Sequence, residues 1–154
     1  LTELEREARH EGLSYVELDG DIAIVGNGAG LVMATLDTIT FFGGKPACFL
    51  DVGGGATEEV VEKAIKIALR NPKVSVLFLN VLGGITRCDE VALGLVKALS
   101  VTKGVPAVVR LVGANEEEGR KILRDAGIGY YESLEEAAKA AVEASRGFKN
   151  WQYS

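Results

Sequence analysis

The stretch Gly83-Gly84-Ile85-Thr86-Arg87-Cys88-Asp89 has the residue types best suited to hold an anion. It follows an apolar run from Val74 to Leu82 and opens a helical pattern of Val91, Ala92, Leu95, Val96 and Leu99. A buried strand, two glycines and a helix start present backbone N–H groups that have no partner inside the helix, and the helix dipole favours a negative guest there. Two more turns have the same build: Gly26-Asn27-Gly28-Ala29-Gly30 and Gly53-Gly54-Gly55-Ala56-Thr57. Each follows a strand-like run, so in a parallel sheet all three lie at the carboxyl ends of strands, where ligands bind. They are expected to converge on one rim with Asn27, Asp51, Asn80 and Arg87, and to receive a carboxylate or a phosphate.

Other chemistries fit these residues less well. Gly26-Asn27-Gly28-Ala29-Gly30-Leu31 puts Leu31 where a dinucleotide fingerprint needs glycine or alanine, and no G-x-x-x-x-G-K-[ST] phosphate loop occurs. Asp51 either binds ligand or accepts N–H bonds from a neighbouring turn. Cys88 stands at a helix start, which lowers a thiol pKa, but no base is adjacent in sequence, so it reads as a packing residue. His10, among Glu7, Arg9 and Glu11, reads as surface. There is no clustered His/Cys metal spacing, no Ser/His pair and no carboxylate dyad.

The elements that must position the turns follow from periodicity. Residues 1–13 form a helix-permissive lead-in segment. Tyr15–Leu18 and Ile22–Val25, separated by Asp19-Gly20-Asp21, predict a β-hairpin. Strand and helix patterns then alternate: a helix with Leu31, Val32, Leu36 and Ile39 ending at Gly43-Gly44, a strand from Pro46 to Val52, and a helix capped by Thr57. The strand at Val74 to Leu82 and its helix come next. A strand from Pro106 to Val112 leads to a helix capped by Asn115 with Glu118 at N3. A short strand from Ile128 to Tyr131 precedes a capping box at Ser133 and Glu136. Continuous apolar strands between helices predict a flavodoxin-like doubly wound parallel sheet with helices on both faces and an N-terminal β-hairpin, over residues 14–146. Residues 147–154, with Trp151 and Tyr153, form a tail without periodicity.

A net charge of −5 without a basic stripe argues against nucleic acid. No run reaches the ~20 apolar residues of a membrane span, and two cysteines forty positions apart suit a reducing compartment. The expected location is cytoplasmic, or the mitochondrial matrix in a eukaryote. A chain that begins at Leu1, with Met33 as its sole methionine, is expected to be a fragment or a processed product.

Read together, Asn27-Gly28-Ala29-Gly30-Leu31, Phe49-Leu50-Asp51-Val52-Gly53-Gly54-Gly55-Ala56-Thr57 and Gly83-Gly84-Ile85-Thr86-Arg87-Cys88-Asp89 resemble the C-terminal domain of the succinyl-CoA synthetase (succinate–CoA ligase) β subunit. Gly43-Gly44-x-Pro46-Ala47 and Pro106-x-x-Val109-Arg110-Leu111 fit as well, so the similarity runs from about Tyr15 to Ser145. The resemblance implies an acid–thiol ligase acting as an αβ complex: succinate, CoA and ATP or GTP give succinyl-CoA, ADP or GDP and phosphate, through succinyl phosphate and a phosphohistidine. It implies substrate contacts at Asn27, Gly84, Ile85 and Thr86. It also implies a helix start at Gly83 and Arg87 facing the phosphohistidine, which belongs to the α subunit with CoA. Nucleotide and Mg²⁺ are expected on an N-terminal ATP-grasp domain outside this sequence. This chain is then expected to bind no metal or cofactor, to hold no catalytic residue of its own, and to be inactive alone. Other expectations are a malate- or citrate-type CoA-ligase domain, a non-catalytic docking domain, and a mononucleotide binder of flavodoxin type.

Overall fold

The computed structural model describes residues 2–102 and 104–147; the tail with Trp151 and Tyr153 lies outside the described residues. The elements are α1 (Glu3–His10), β1 (Ser14–Glu17), β2 (Ile22–Gly26), α2 (Ala29–Phe41), β3 (Pro46–Asp51), α3 (Glu58–Leu69), β4 (Val76–Leu82), α4 (Cys88–Val101), β5 (Ala107–Val112), α5 (Glu116–Asp125), β6 (Tyr130–Tyr131) and α6 (Leu134–Ser145). One six-stranded sheet runs in the order β1-β3-β2-β4-β5-β6. The strands from β2 onward are parallel, in the doubly wound flavodoxin-like order, and β1 is antiparallel to β3.

Strand periodicity divides the core in two. Ala23, Val25, Leu77, Leu79, Val109 and Leu111 face α1, α3, α4 and α5. Ile22, Ile24, Val76, Phe78 and Val108 face α2 and α6. Every residue of β2 is buried, which is why its sequence shows no apolar–polar alternation. Fully buried side chains such as Phe78 and Ile24 each contribute about 1.5–3 kcal/mol through burial.

The predicted hairpin is corrected. Its two strands exist, but β1 pairs with β3, which lies between them. Gly20 donates to the carbonyl of Pro46 at 2.9 Å and Asp21 to that of Lys45 at 2.8 Å, so the link crosses the start of β3. A Cβ on Gly20 would lie 2.0 Å from the Lys45 oxygen. Gly20 is also not among the positive-φ glycines, whereas an Asp-Gly hairpin turn requires that conformation. The glycine marks a close backbone crossing, and the link from Leu18 to Ile22 is long enough to step over one strand.

The helix caps follow the sequence with two corrections, the first being that the expected box at Ser133 and Glu136 keeps only its Ser133 half. Thr57 accepts from the Val60 N–H and Ser133 from the Glu136 N–H. Asn115 occupies the N-cap position but is left-handed, at φ 58°, and makes no side-chain cap bond to the helix. Its Nδ2 donates to Glu118 Oε2 at 2.9 Å instead.

Candidate functional site

The sheet changes winding direction between β2 and β4: the chain leaves β2 for β3 on one side and β4 for β5 on the other. Ligand crevices form at this point in open α/β sheets. The Gly26 turn and the Gly83 turn flank it, and the Gly53 turn lies beside them at the end of β3. All three therefore meet on one rim.

Side chains fasten these turns to one another. Asn27 bridges the crevice, with Nδ2 donating to the Leu82 carbonyl at 3.0 Å and Oδ1 accepting from the Leu82 N–H at 3.1 Å. That pairing assigns the amide's orientation, and its second N–H has no acceptor among the described residues. Asp51 Oδ1 accepts from Gly28 N at 2.7 Å and from Gly53 N at 2.8 Å, so the carboxylate staples the first two turns. Thr86 is 1% exposed, and its hydroxyl accepts from Gly55 N at 2.9 Å, joining the second turn to the third. From the far side, Val112 O accepts from Gly83 N and Ala114 O accepts from Cys88 N at 2.9 Å. Gly113 packs so closely against Gly83 that a Cβ would lie 2.1 Å from its oxygen.

What remains open is the backbone between these fastenings. Among the described residues, the N–H groups of Gly84, Ile85, Thr86 and Arg87 have no acceptor. They precede the first turn of α4, whose opening N–H groups add positive potential. Two acids in that turn would repel an anion, but both are engaged. Asp89 holds Arg87 through two bonds of 3.1 and 2.8 Å, and Glu90 Oε1 accepts from Glu58 N of α3 at 3.0 Å. The α2 start has no acid in its first turn and leaves the N–H groups of Ala29, Gly30 and Leu31 unpaired among the described residues, although Asp51 takes that of Gly28. This rim can hold a carboxylate or phosphate on main-chain donors.

The expected site residues thus separate by what they can offer. Asn27 and the backbone of Gly84 and Ile85 have donors available, whereas the unpaired N–H of Thr86 belongs to a residue that is almost fully buried. Gly83 lends shape only, since its N–H is spent on Val112. Arg87 lies at the α4 start, where its guanidinium is held by Asp89, which keeps it above its ordinary pKa. Asn80, expected on the rim, is instead fully buried: its Nδ2 donates to Thr35 Oγ1 at 2.7 Å and its Oδ1 accepts from Arg110 Nη1 at 3.1 Å. Cys88 packs in the core, and burial pushes its thiol up to about 11, outweighing the helix start. No group of three or more His, Cys, Asp or Glu that could hold a metal occurs among the described residues. No helix among them is long and apolar enough to cross a membrane.

A family model described as CoA-ligase matches residues 25–144, from the end of β2 to the end of α6. The chain belongs to the CoA-ligase family. The domain is 55% identical over 147 residues to the succinate–CoA ligase (ADP-forming) subunit beta of Ignicoccus hospitalis, covering 95% of this chain and 39% of that protein. It is likewise 55% identical over 148 residues to the equally named protein of Pyrobaculum aerophilum, with 95% of this chain and 39% of that one covered. The CoA-ligase domain therefore spans well under half the length of these relatives. Among solved structures, ATP citrate lyase from Methanothrix soehngenii, in complex with citrate and coenzyme A, matches at TM-score 0.72. At 22% identity, over 82% of this chain and 39% of that one, the match concerns the fold.

Sequence reasoning missed how much of the CoA-ligase rim is built by residues away from the turns' own ends. The Gly113-Ala114-Asn115 turn was readable as a strand-to-helix link, yet nothing in it announced support for Gly83. Glu90, in the first turn of α4, is not among the sequence-predicted site residues; its partner is on the neighbouring helix.

Proposed function

We propose that this CoA-ligase domain is the C-terminal part of a succinate–CoA ligase β subunit and supplies the donors that hold the succinyl carboxylate. The observation that carries this reading is the row of unpaired N–H groups from Gly84 to Arg87, beside the free N–H of Asn27. The reaction joins succinate and CoA at the expense of ATP or GTP, through succinyl phosphate and a phosphohistidine, so every acid-derived species at the rim is anionic. Fixed main-chain donors suit such species because they need no reorganisation as charge develops.

In this assignment Asn27, Gly84 and Ile85 contact the acid, and Thr86, buried with its hydroxyl on Gly55, holds the turn that presents them. Gly83 shapes the turn, and the backbone at Arg87 leads the helix start toward the phosphohistidine of the α subunit. Exposed Leu82 and Ile85, at 50% and 83% exposure, give the α subunit an apolar contact beside the polar crevice. Nucleotide and Mg²⁺ belong to the ATP-grasp part of the β subunit, CoA to the α subunit, and the assembly to the cytoplasm.

The test combines this domain, the rest of the β subunit and a cognate α subunit. Thioester formation dependent on succinate, CoA and ATP is expected with all three and with no two of them. A complete assembly that turns over without succinate, or not at all, would overturn the reading.

A further inference from the structure

Asp51 has a role that its sequence position alone leaves open. One oxygen of its half-buried carboxylate accepts both the Gly28 and the Gly53 N–H, at 2.7 and 2.8 Å. Both glycines have positive φ, 103° and 75°, so their conformations depend on having no Cβ. Asp51 itself is held on two flanks, its backbone in register with Ser14 of β1 and Gly26 of β2. The Val52 N–H adds a bond to the Gly26 carbonyl at 2.9 Å. The carboxylate is thus a fixed post at the end of β3, and Gly28 hangs from it.

Asn27 lies between that post and a second one. Its backbone continues directly into Gly28, while its side chain is clamped to Leu82 at the end of β4. The amide's remaining N–H can take only the direction that these two anchors leave. We propose that Asp51 is a positioning residue: by accepting the Gly28 and Gly53 amides it aims the free N–H of Asn27 at the acid substrate, without touching the substrate itself. This rests on the function proposed above. The essential property is an acceptor oxygen at that point, and the negative charge is secondary.

Two substitutions separate acceptor from charge in the complete αβ ligase. Asp51→Asn keeps an acceptor oxygen in place and loses the charge; Asp51→Glu keeps the charge and displaces the oxygen by one methylene. Succinate KM is expected to stay within about twofold for Asp51→Asn and to rise about tenfold for Asp51→Glu, the size of one misaligned hydrogen bond to a charged group. The KM for CoA and ATP should not move in either. A purely structural role would shift the thermal midpoint or all three KM values together, and that result would overturn the proposal. So would an Asp51→Asn enzyme as impaired as Asp51→Glu, or an Asp51→Glu enzyme with unchanged succinate KM. If the unsubstituted assembly shows no succinate-dependent turnover, the proposed function falls first; with that turnover present, an unchanged Asp51→Glu enzyme removes only the positioning role.

Discussion

Two neighbouring helix starts, those of α3 and α4, follow glycine turns of similar sequence and have opposite fates. The α3 start is closed at alternate amides: Thr57 caps Val60, Glu90 reaches across to Glu58, Thr86 accepts from Gly55 and Asp51 accepts from Gly53, leaving the N–H groups of Gly54, Ala56, Thr57 and Glu59 unpaired among the described residues. The approach to α4 is open, with Gly84 to Arg87 unpaired among the described residues and its acids turned to other partners. The α4 turn donates two of the groups, Thr86 and Glu90, that close its neighbour. The α3 start is the more pinned of the two, while the α4 approach keeps a continuous run of unpaired donors, which is what the proposed cradle needs. A glycine-rich strand-to-helix turn is therefore not a binding site by composition; it becomes one when its surroundings leave the N–H groups unspent.

The difference is best broken by filling the open turn. A Cβ on Gly84 meets nothing within 4 Å, so Gly84→Val should fold normally while crowding the donors. In the assembled ligase, succinate-dependent turnover is expected to fall about 10²–10³-fold, the usual loss for a backbone or side-chain oxyanion donor. An unchanged thermal midpoint would separate this from misfolding, and unchanged turnover would sink the role of the turn. Next comes Thr86→Val, which strands the Gly55 N–H and should cost about 1–3 kcal/mol in urea unfolding, whereas Thr86→Ser should cost little. Thr57→Ala acts only on the closed start, so about 1 kcal/mol of stability should go with KM for succinate intact.

The effect that is smallest near neutral pH, and grows in alkali, concerns the buried thiols. Burial raises Cys88 to about 11 and Cys48 to about 12, from an ordinary 9.0, and raises Tyr15 as well. The unfolded chain releases these protons first. Stability from keeping the groups neutral is therefore complete below pH 9 and declines as pH rises toward 11 and 12. Urea midpoints measured from pH 8 to 11 should fall, and Cys88→Ala should flatten part of that slope. At pH 8 neither thiol should react with iodoacetamide until the protein unfolds. Rapid alkylation of the folded chain would show that the α4 start activates Cys88 after all.

Much of the fold was legible because local signals and tertiary burial agree. The apolar run into Gly83, the Thr57 cap and the Gly43-Gly44 stop each state an element whose neighbours then bury it. The Asp19-Gly20-Asp21 link misled because two physical demands share one residue: glycine serves a tight turn and a close crossing alike, and only the strand pairing distinguishes them. Asn115 misled for a related reason, since the left-handed conformation and the side-chain cap compete for the same residue type. At the site, the convergence of the three turns followed from strand direction alone. Which N–H groups are already spent did not, because Asp51, Thr86 and Glu90 act across gaps of 23, 31 and 32 residues.

The antiparallel first strand has a consequence of another kind. Without β1, the strand Pro46–Asp51 would be the border of the sheet and would present an unpaired row of amides and carbonyls. Such a border recruits strands from other molecules, and natural sheets blunt it with short or covered ends. Here one border is a four-residue strand folded back over β3, and the other is the two-residue β6. The crossing at Gly20 thus acts as a hem: it keeps the sheet from extending into copies of itself.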